Sequence, residues 1–228
     1  MILSGAGLSA ESGLKTFRDA DGLWENYNVR EVCSVEGFKK DRNLVSNFYD
    51  ERRKQLENAE PNLAHKKLAE LQNKYPNEIA LVTQNVDNLL EKAGAKNVIH
   101  VHGTLTDLRC ESCGTVFDVG FGSQKDKKCP KCNSDSIRHN VVMFGEAVPE
   151  YEKMYSILDE VQLLVVIGTS GYVVPAHRMA NYVDFSILNN LEKSEIDYAF
   201  TKTFIEPATT GILKIEKEIE KFLKVGKI

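Results

Sequence analysis

Apolar residues in this chain fall into short runs separated by longer amphipathic stretches. Ile2–Ser4, Ile79–Thr83, Val98–His102, Leu163–Gly168, Asp184–Leu188 and Asp197–Thr201 read as strands. Several are continuously apolar, as a sheet covered on both faces requires. Near the end, Ile212, Ile215, Ile219, Phe222 and Leu223 fall on one face of a helix with Lys and Glu between them. This alternation predicts an α/β fold: a Rossmann-like parallel sheet with helices on both faces. Two segments break it. Gly13 to Tyr27 sustains no period and reads as a polar loop carrying Gly22, followed by a helical stretch from about Asn43 to Asn58. The second, 105–140, is rich in Cys and Lys and poor in aliphatics. The expectation is one domain over 1–228, with a smaller lobe built from a helical insert (25–75) and a cysteine-rich insert (106–140).

Composition narrows the class. With 228 residues, the chain is one large domain or a core with an insert. A net charge of −4 argues against a nucleic-acid scaffold, which needs a basic stripe. No apolar run approaches the roughly 20 residues of a membrane span, and no signal peptide precedes the first strand. The expected setting is the cytoplasm, without membrane or nucleic-acid partners, and as a monomer. Cys110-x2-Cys113 and Cys129-x2-Cys132 stand 15 residues apart, the spacing of two thiolate knuckles closing a tetrahedral zinc site. Four sulfurs leave no position for water, so the zinc is expected to be structural and to stabilise an insert too poor in apolar residues to fold alone. A redox dithiol pair is the alternative. Cys33 reads as a small packing residue. Lys125, Lys127, Lys128 and Lys131 read as a solvated face, with a nucleic-acid module as the alternative.

Candidate chemistry gathers at strand ends. Gly5-Ala6-Gly7, with Ala10 three further on, has the strand-turn-helix layout of a dinucleotide phosphate site. There Gly5 permits a tight turn, and Gly7 lets backbone N–H groups approach a pyrophosphate; an ordinary strand-to-helix turn is the other reading. Gln84, Asn85 and Asp87 follow the second strand, where they either line a ligand crevice or cap the next helix. His102 ends the third strand beside Gly103. An imidazole titrating near pH 6.5 can take a proton from a sugar hydroxyl. His65, His100, His139 and His177 read as structural. Gly168-Thr169-Ser170 closes another strand with small hydroxyl residues, either a ribose or phosphate contact or a plain loop. A dehydrogenase would carry an acidic residue at the end of its second strand, about 20 residues past the glycines. Here that stretch is DADGLWENY, with no strand before it.

In this order the pieces resemble the sirtuin family of NAD-dependent protein deacylases. The matching residues are GAGLSAESG (Gly5–Gly13), TFR (Thr16–Arg18), DGLW (Asp21–Trp24), TQNVD (Thr83–Asp87), His102-Gly103, the cysteine quartet, MFGE (Met143–Glu146), GTS (Gly168–Ser170) and NLE (Asn190–Glu192). The resemblance implies that Gly5, Ala6, Gly7, Ser9, Ala10, Phe17, Arg18 and Trp24 form the phosphate turn and a loop over NAD. Gln84, Asn85, Val86 and Asp87 would hold the nicotinamide ribose and carboxamide. Gly168, Thr169, Ser170, Asn190, Leu191, Glu192 and Ala208 would hold the adenosine half. Met143, Phe144, Gly145 and Glu146 would pair in β fashion with a substrate peptide. His102 would be the general base, with Asn85 also catalytic. The implied reaction consumes NAD: the acyl oxygen of a modified lysine attacks the nicotinamide ribose, nicotinamide leaves, and free lysine and O-acyl-ADP-ribose result. A non-catalytic NAD or ADP-ribose sensor and a protein ADP-ribosyltransferase are the alternatives.

Tyr49 and Arg52 are three apart in the helical stretch and share a face. The segment NFYDERR resembles the sirtuin subgroup that removes acidic acyl groups. In that subgroup they would clamp a succinyl or malonyl carboxylate, with Arg53 a solvated neighbour; otherwise Tyr49 packs and Arg52 is solvated. The chain departs from the family pattern at Lys15, where proline is common, and at Glu206, where glycine is usual. The first strand is short, and a start upstream of Met1 would lengthen it.

Overall fold

A computed structural model of the chain describes residues 1–15, 23–24 and 27–228, with the backbone alone for Leu23 and Trp24. In chain order the elements are β1 (Ile2–Ser4), β2 (Leu23–Trp24), β3 (Tyr27–Asn28), α1 (Val29–Val32), α2 (Val35–Lys40), α3 (Arg42–Glu57) and α4 (Leu63–Lys74). Then come β4 (Leu81–Thr83), α5 (Leu89–Lys92), β5 (Ile99–His100), β6 (Gly103–Cys110), β7 (Val116–Asp118) and β8 (Ile137–Val141). Last are α6 (Glu150–Leu158), β9 (Leu163–Ile167), α7 (Ala176–Met179), β10 (Phe185–Asn190), β11 (Lys202–Ile205) and α8 (Ala208–Val225).

Six strands form one parallel sheet in the order β11-β10-β9-β1-β4-β5. Side chains alternate across a strand, and here both faces are apolar. Ile2, Leu81, Val165, Ile167 and Ile187 pack on α4 and α8. Met1, Leu3, Val82, Leu164, Val166 and Leu188 pack on the other face with α6 and α7. From β1 the chain runs outward one way through β4 and β5, and the other way through β9, β10 and β11. The order therefore reverses beside β1, and a ligand crevice belongs at the carboxyl ends there.

A smaller lobe stands over those ends. Val45, Phe48, Tyr49 and Leu56 of α3 recur at helical spacing and bury against Val32, Cys33, Leu105, Val141 and Met143. The antiparallel sheet β7-β6-β8 carries the cysteines. The 25–75 stretch divides: α1 to α3 lie in this lobe, whereas α4 buries Ala64, Leu68 and Leu71 under the main sheet.

Four local expectations are corrected. The sixth strand is not Asp197–Thr201. Asp197–Ala199 is a 3-10 turn closed by Ser194, whose hydroxyl donates to Asp197 Oδ1 at 2.6 Å, and the strand comes later, at Lys202–Ile205. The apolar Tyr198-Ala199-Phe200 run serves Phe200, which anchors in the core, not a strand. In the described residues after Gly5, no α-helix follows at once; two short 3-10 helices, Ala6–Leu8 and Ala10–Ser12, do. They are fastened by Glu11, whose carboxylate accepts from Thr209 N at 2.9 Å and Thr209 Oγ1 at 2.7 Å. Where the loop Gly13–Tyr27 is expected, Leu23 and Trp24 of β2 pair antiparallel with Asn28 and Tyr27 of β3. Finally, Arg53 is not solvated: it is fully buried. Its guanidinium donates to the carbonyls of Leu105, Gly122 (2.9 Å) and Asp107 (3.3 Å) and pairs with Asp50 at 3.4 Å. That staples α3 to the cysteine-bearing sheet.

Candidate active site

The reversal point opens into a cleft of about 1840 Å³ between the sheet ends and the small lobe. Every described residue singled out for nucleotide or substrate lines it. From β1 come Gly5, Ala6, Gly7, Ser9 and Ala10; from β4, Gln84, Asn85, Val86 and Asp87; from β5, His102. From β9 come Gly168, Thr169 and Ser170; from β10, Asn190, Leu191 and Glu192; from α8, Ala208. Tyr49, Arg52 and Met143, Phe144, Gly145 and Glu146 close the far side. Phe17 and Arg18 lie outside the described residues, as does the side chain of Trp24.

The glycines are needed for a different reason than the sequence suggested. Gly5 is extended, with φ −128°, a conformation any residue adopts. A Cβ there would stand 2.8 Å from Gly168 O, and one on Gly7 would stand 2.6 Å from Gly168 Cα. Their N–H groups donate to Ile167 O and Gly168 O, each at 2.9 Å. The two turns are therefore pressed backbone to backbone, and these two donors hold the rim together instead of facing a pyrophosphate. Nor does Gly103 leave room beside His102. It has φ +79°, and a Cβ would meet Asn140 O at 1.9 Å.

His102 Nδ1 lies 3.1 Å from the carbonyl of Gln84. A carbonyl only accepts, so Nδ1 carries the proton and Nε2 holds the lone pair of the neutral ring. Burial holds its pKa below 6.5, with the Gln84 carbonyl opposing. This is an imidazole prepared to accept a proton at Nε2.

Behind it lies a second network. Ser9 Oγ accepts from Asn85 Nδ2 at 3.0 Å and donates to Asp87 Oδ2 at 2.9 Å. Asp87 Oδ1 also accepts from Leu89 N at 3.1 Å, one residue ahead of Asn88, the N-cap of α5. His65, read from sequence as structural, is wired into this network. Its Nδ1 accepts from Asn62 N at 3.3 Å, so its Nε2–H points at Ser9 Oγ, 3.2 Å away. Burial pushes its pKa down to about 4. The unfolded chain binds that proton near pH 6.5 and the folded one only near 4. Stability from this group is complete above 6.5 and falls by roughly 3 kcal/mol as pH drops to 4. Melting curves should show this decline, and His65→Gln should flatten it; an unchanged slope in the variant would assign the acid sensitivity elsewhere.

On the β9 and β10 side of the cleft, Gln84 Nε2 donates to Thr169 Oγ1 at 3.2 Å and Asn190 Nδ2 to Thr169 O at 3.0 Å. Ala208 opens α8. Glu206, at the departure noted above, donates its N–H to Asn190 O at 3.0 Å and pairs with Lys214 at 2.8 Å.

On the small-lobe side of the cleft, Tyr49 is 1% and Arg52 7% exposed. Arg52 stacks 5.3 Å from the Phe48 ring centre. Cys33 packs in the core of the small lobe, as expected, and also lines the cleft. The expected peptide strand is partly closed. Phe144 N donates to Cys33 O at 2.8 Å, and its carbonyl accepts from Val35 N at 3.0 Å. Glu146 accepts from Arg138 at 2.5 Å and from Met143 N at 2.9 Å, so it braces this turn. Half-exposed Phe144 and Val173 and exposed Tyr172 present apolar surface to the cleft.

In the insert, the Cys110–Cys132 and Cys113–Cys129 sulfurs are each 3.6 Å apart, and all four lie within 4.8 Å of one another. A tetrahedron with Zn–S of about 2.3 Å has edges of about 3.8 Å. The donor set fits structural zinc.

Sequence reasoning missed Tyr151, which meets His102 through tertiary contact, and no spacing in the chain signals it.

A doubly wound sheet whose reversal point holds a neutral imidazole, with a four-thiolate metal site alongside, defines a nucleotide-dependent enzyme class. Residues 5–175 match the profile described as Sir2 family. The chain belongs to the Sir2 family. It is 52% identical to an NAD-dependent protein deacylase of Campylobacter jejuni (strain RM1221), covering 100% of this chain and 98% of the relative. It is 41% identical to one of Escherichia coli (strain K12), covering 100% and 84%. Among solved structures, a Sir2 homolog–NAD complex superposes with a TM-score of 0.85 at 35% identity, covering 98% of this chain and 90% of that one. A Sir2 complex with a deacetylated peptide and 3′-O-acetyl ADP-ribose gives 0.78 at 27% identity, covering 95% and 92%. No described helix is long and apolar enough to cross a membrane.

Proposed function

We propose that this protein is an NAD-dependent protein-lysine deacylase that accepts acidic acyl groups, succinyl and malonyl, as well as acetyl. The observation that carries the reading is the His102 tautomer, set by the Gln84 carbonyl, in one cleft with Tyr49 and Arg52. NAD supplies the electrophilic ribose carbon and the ADP-ribose that carries the acyl group away. The chain supplies the rest. The β1 and β9 turns, with Asn190 to Glu192 and Ala208, form the wall for the adenosine half. Asn85 and Asp87, fixed through Ser9, orient the nicotinamide ribose. His102 Nε2 takes the proton of a ribose hydroxyl. Phe144, Tyr172 and Val173 flank the peptide's path. The relatives' names and the bound nucleotides of the similar structures support this assignment.

The acyl preference rests on α3. Tyr49 and Arg52 share its cleft face, where a desolvated guanidinium suits a carboxylate and a phenol adds a hydrogen bond. Removing one partner of such a pair costs about 2–5 kcal/mol. Arg52→Met should therefore cut kcat/KM for succinyl-lysine peptide by roughly 30-fold or more, while acetyl-lysine turnover falls only a few-fold. The test is mass spectrometry of acetyl-, succinyl- and malonyl-lysine peptides incubated with NAD. Equal loss on all three would remove the clamp from the mechanism.

A further inference from the structure

One contact to the base comes from outside the residues that define the cleft's nucleotide face. Tyr151, in the first turn of α6, brings its hydroxyl to 3.3 Å from His102 Nε2, with ring centres 6.2 Å apart at 57°. The Gln84 carbonyl has already fixed the proton on Nδ1, so Nε2 can only accept and the phenol O–H must donate. The imidazole is thus held at both nitrogens, by a backbone carbonyl from the end of β4 and by a phenol from α6. Tyr151 is itself steadied by an edge-on contact with Tyr155, ring centres 6.2 Å apart, and by packing on the core of the α6 face. Charged groups nearby are otherwise engaged: Asp87 by Ser9 and Leu89, His100 by Glu91 and the Asn85 carbonyl, Glu146 by Arg138.

We propose that Tyr151 is a positioning residue for His102: its phenol occupies Nε2 in the ligand-free site, fixes the tilt of the ring, and yields that nitrogen to a ribose hydroxyl when nucleotide enters. This rests on the reading of His102 as the base. The lone pair the reaction needs is the one the phenol covers, so one hydrogen bond is exchanged for another at the same atom. Binding of nucleotide must break the phenol contact, and the free site keeps its base oriented in the meantime.

The test uses the full zinc-loaded chain. In histidine-labelled protein above pH 8, where the ring is neutral, the nitrogen-15 resonance of His102 Nε2 should show hydrogen-bond acceptance in the wild type. Tyr151→Phe should move it downfield toward an unbonded nitrogen. In calorimetry with ADP-ribose as probe, the same variant should bind tighter, by about two- to tenfold, the worth of one neutral hydrogen bond that no longer has to be broken. Tyr151→Met provides a second hydroxyl-free side chain should Phe disturb the fold. An unmoved resonance overturns the proposal. So does unchanged or weaker binding, which would place the phenol on the nucleotide or nowhere on its path. The deacylase reading is judged separately by wild-type turnover of acyl peptides, so failure there leaves these two measurements standing.

Discussion

His102→Ala lowers kcat/KM for deacylation by roughly 10²–10⁴-fold, the usual contribution of a positioned general base, with little change in melting temperature. The side chain is only partly buried and sits in the turn between β5 and β6, so its loss opens no core cavity. The rate should also follow the ring's ionisation. Burial holds the folded pKa below 6.5. The neutral, proton-accepting form therefore persists through pH 6.5, and the acid limb of kcat/KM falls below that value. As pH drops through the folded pKa, activity drops with it. Peptide turnover across pH 5 to 8 checks both points. Alanine activity within threefold of wild type, or an acid limb above 6.5, would take the base role away from this residue.

The second large effect concerns zinc. Cys129→Ser should reduce bound zinc from one per chain toward none and unfold the β6–β8 sheet, because the insert's own core is only Leu108, Cys110, Cys129 and Ile137 with a few partners. Zinc binding to small thiolate sites is worth about 10–16 kcal/mol in apparent terms, far more than such a core supplies. The damage should spread. Arg53 and Asp50 of α3 hold the insert at Leu105, Asp107, Gly122 and Gln124, and Asp50 also meets His139 of β8 at 2.8 Å. Loosening the sheet therefore loosens the helix that carries Tyr49 and Arg52. Metal analysis with amide-exchange mapping reads both. Full zinc content, or a folded insert without metal, would contradict the account.

The main sheet was legible because its strands are buried on both faces. Leu163–Ile167 is apolar without interruption and Ile2-Leu3 is an apolar pair opening β1, and neither needed a partner to be read. Asp197–Thr201 misled because a run of Tyr, Ala and Phe can serve a turn that anchors one ring as well as a strand. The cleft was legible where its residues end strands, since the reversal of strand order brings those ends together. Arg53 was not legible. A charged residue beside another on a helix looks solvated until a second element supplies carbonyls, and those come from residues 52 and more positions away. Tyr151 shares that character: it meets His102 from 49 positions away.

The proton on His102 is placed by a main-chain oxygen, which every amino acid at position 84 would bring along. Mutation of the Gln84 side chain can alter its grip on Thr169 while the ring's protonation pattern is inherited unchanged. The feature that fixes this imidazole's tautomer is thus written in backbone, where single-codon drift does not reach it.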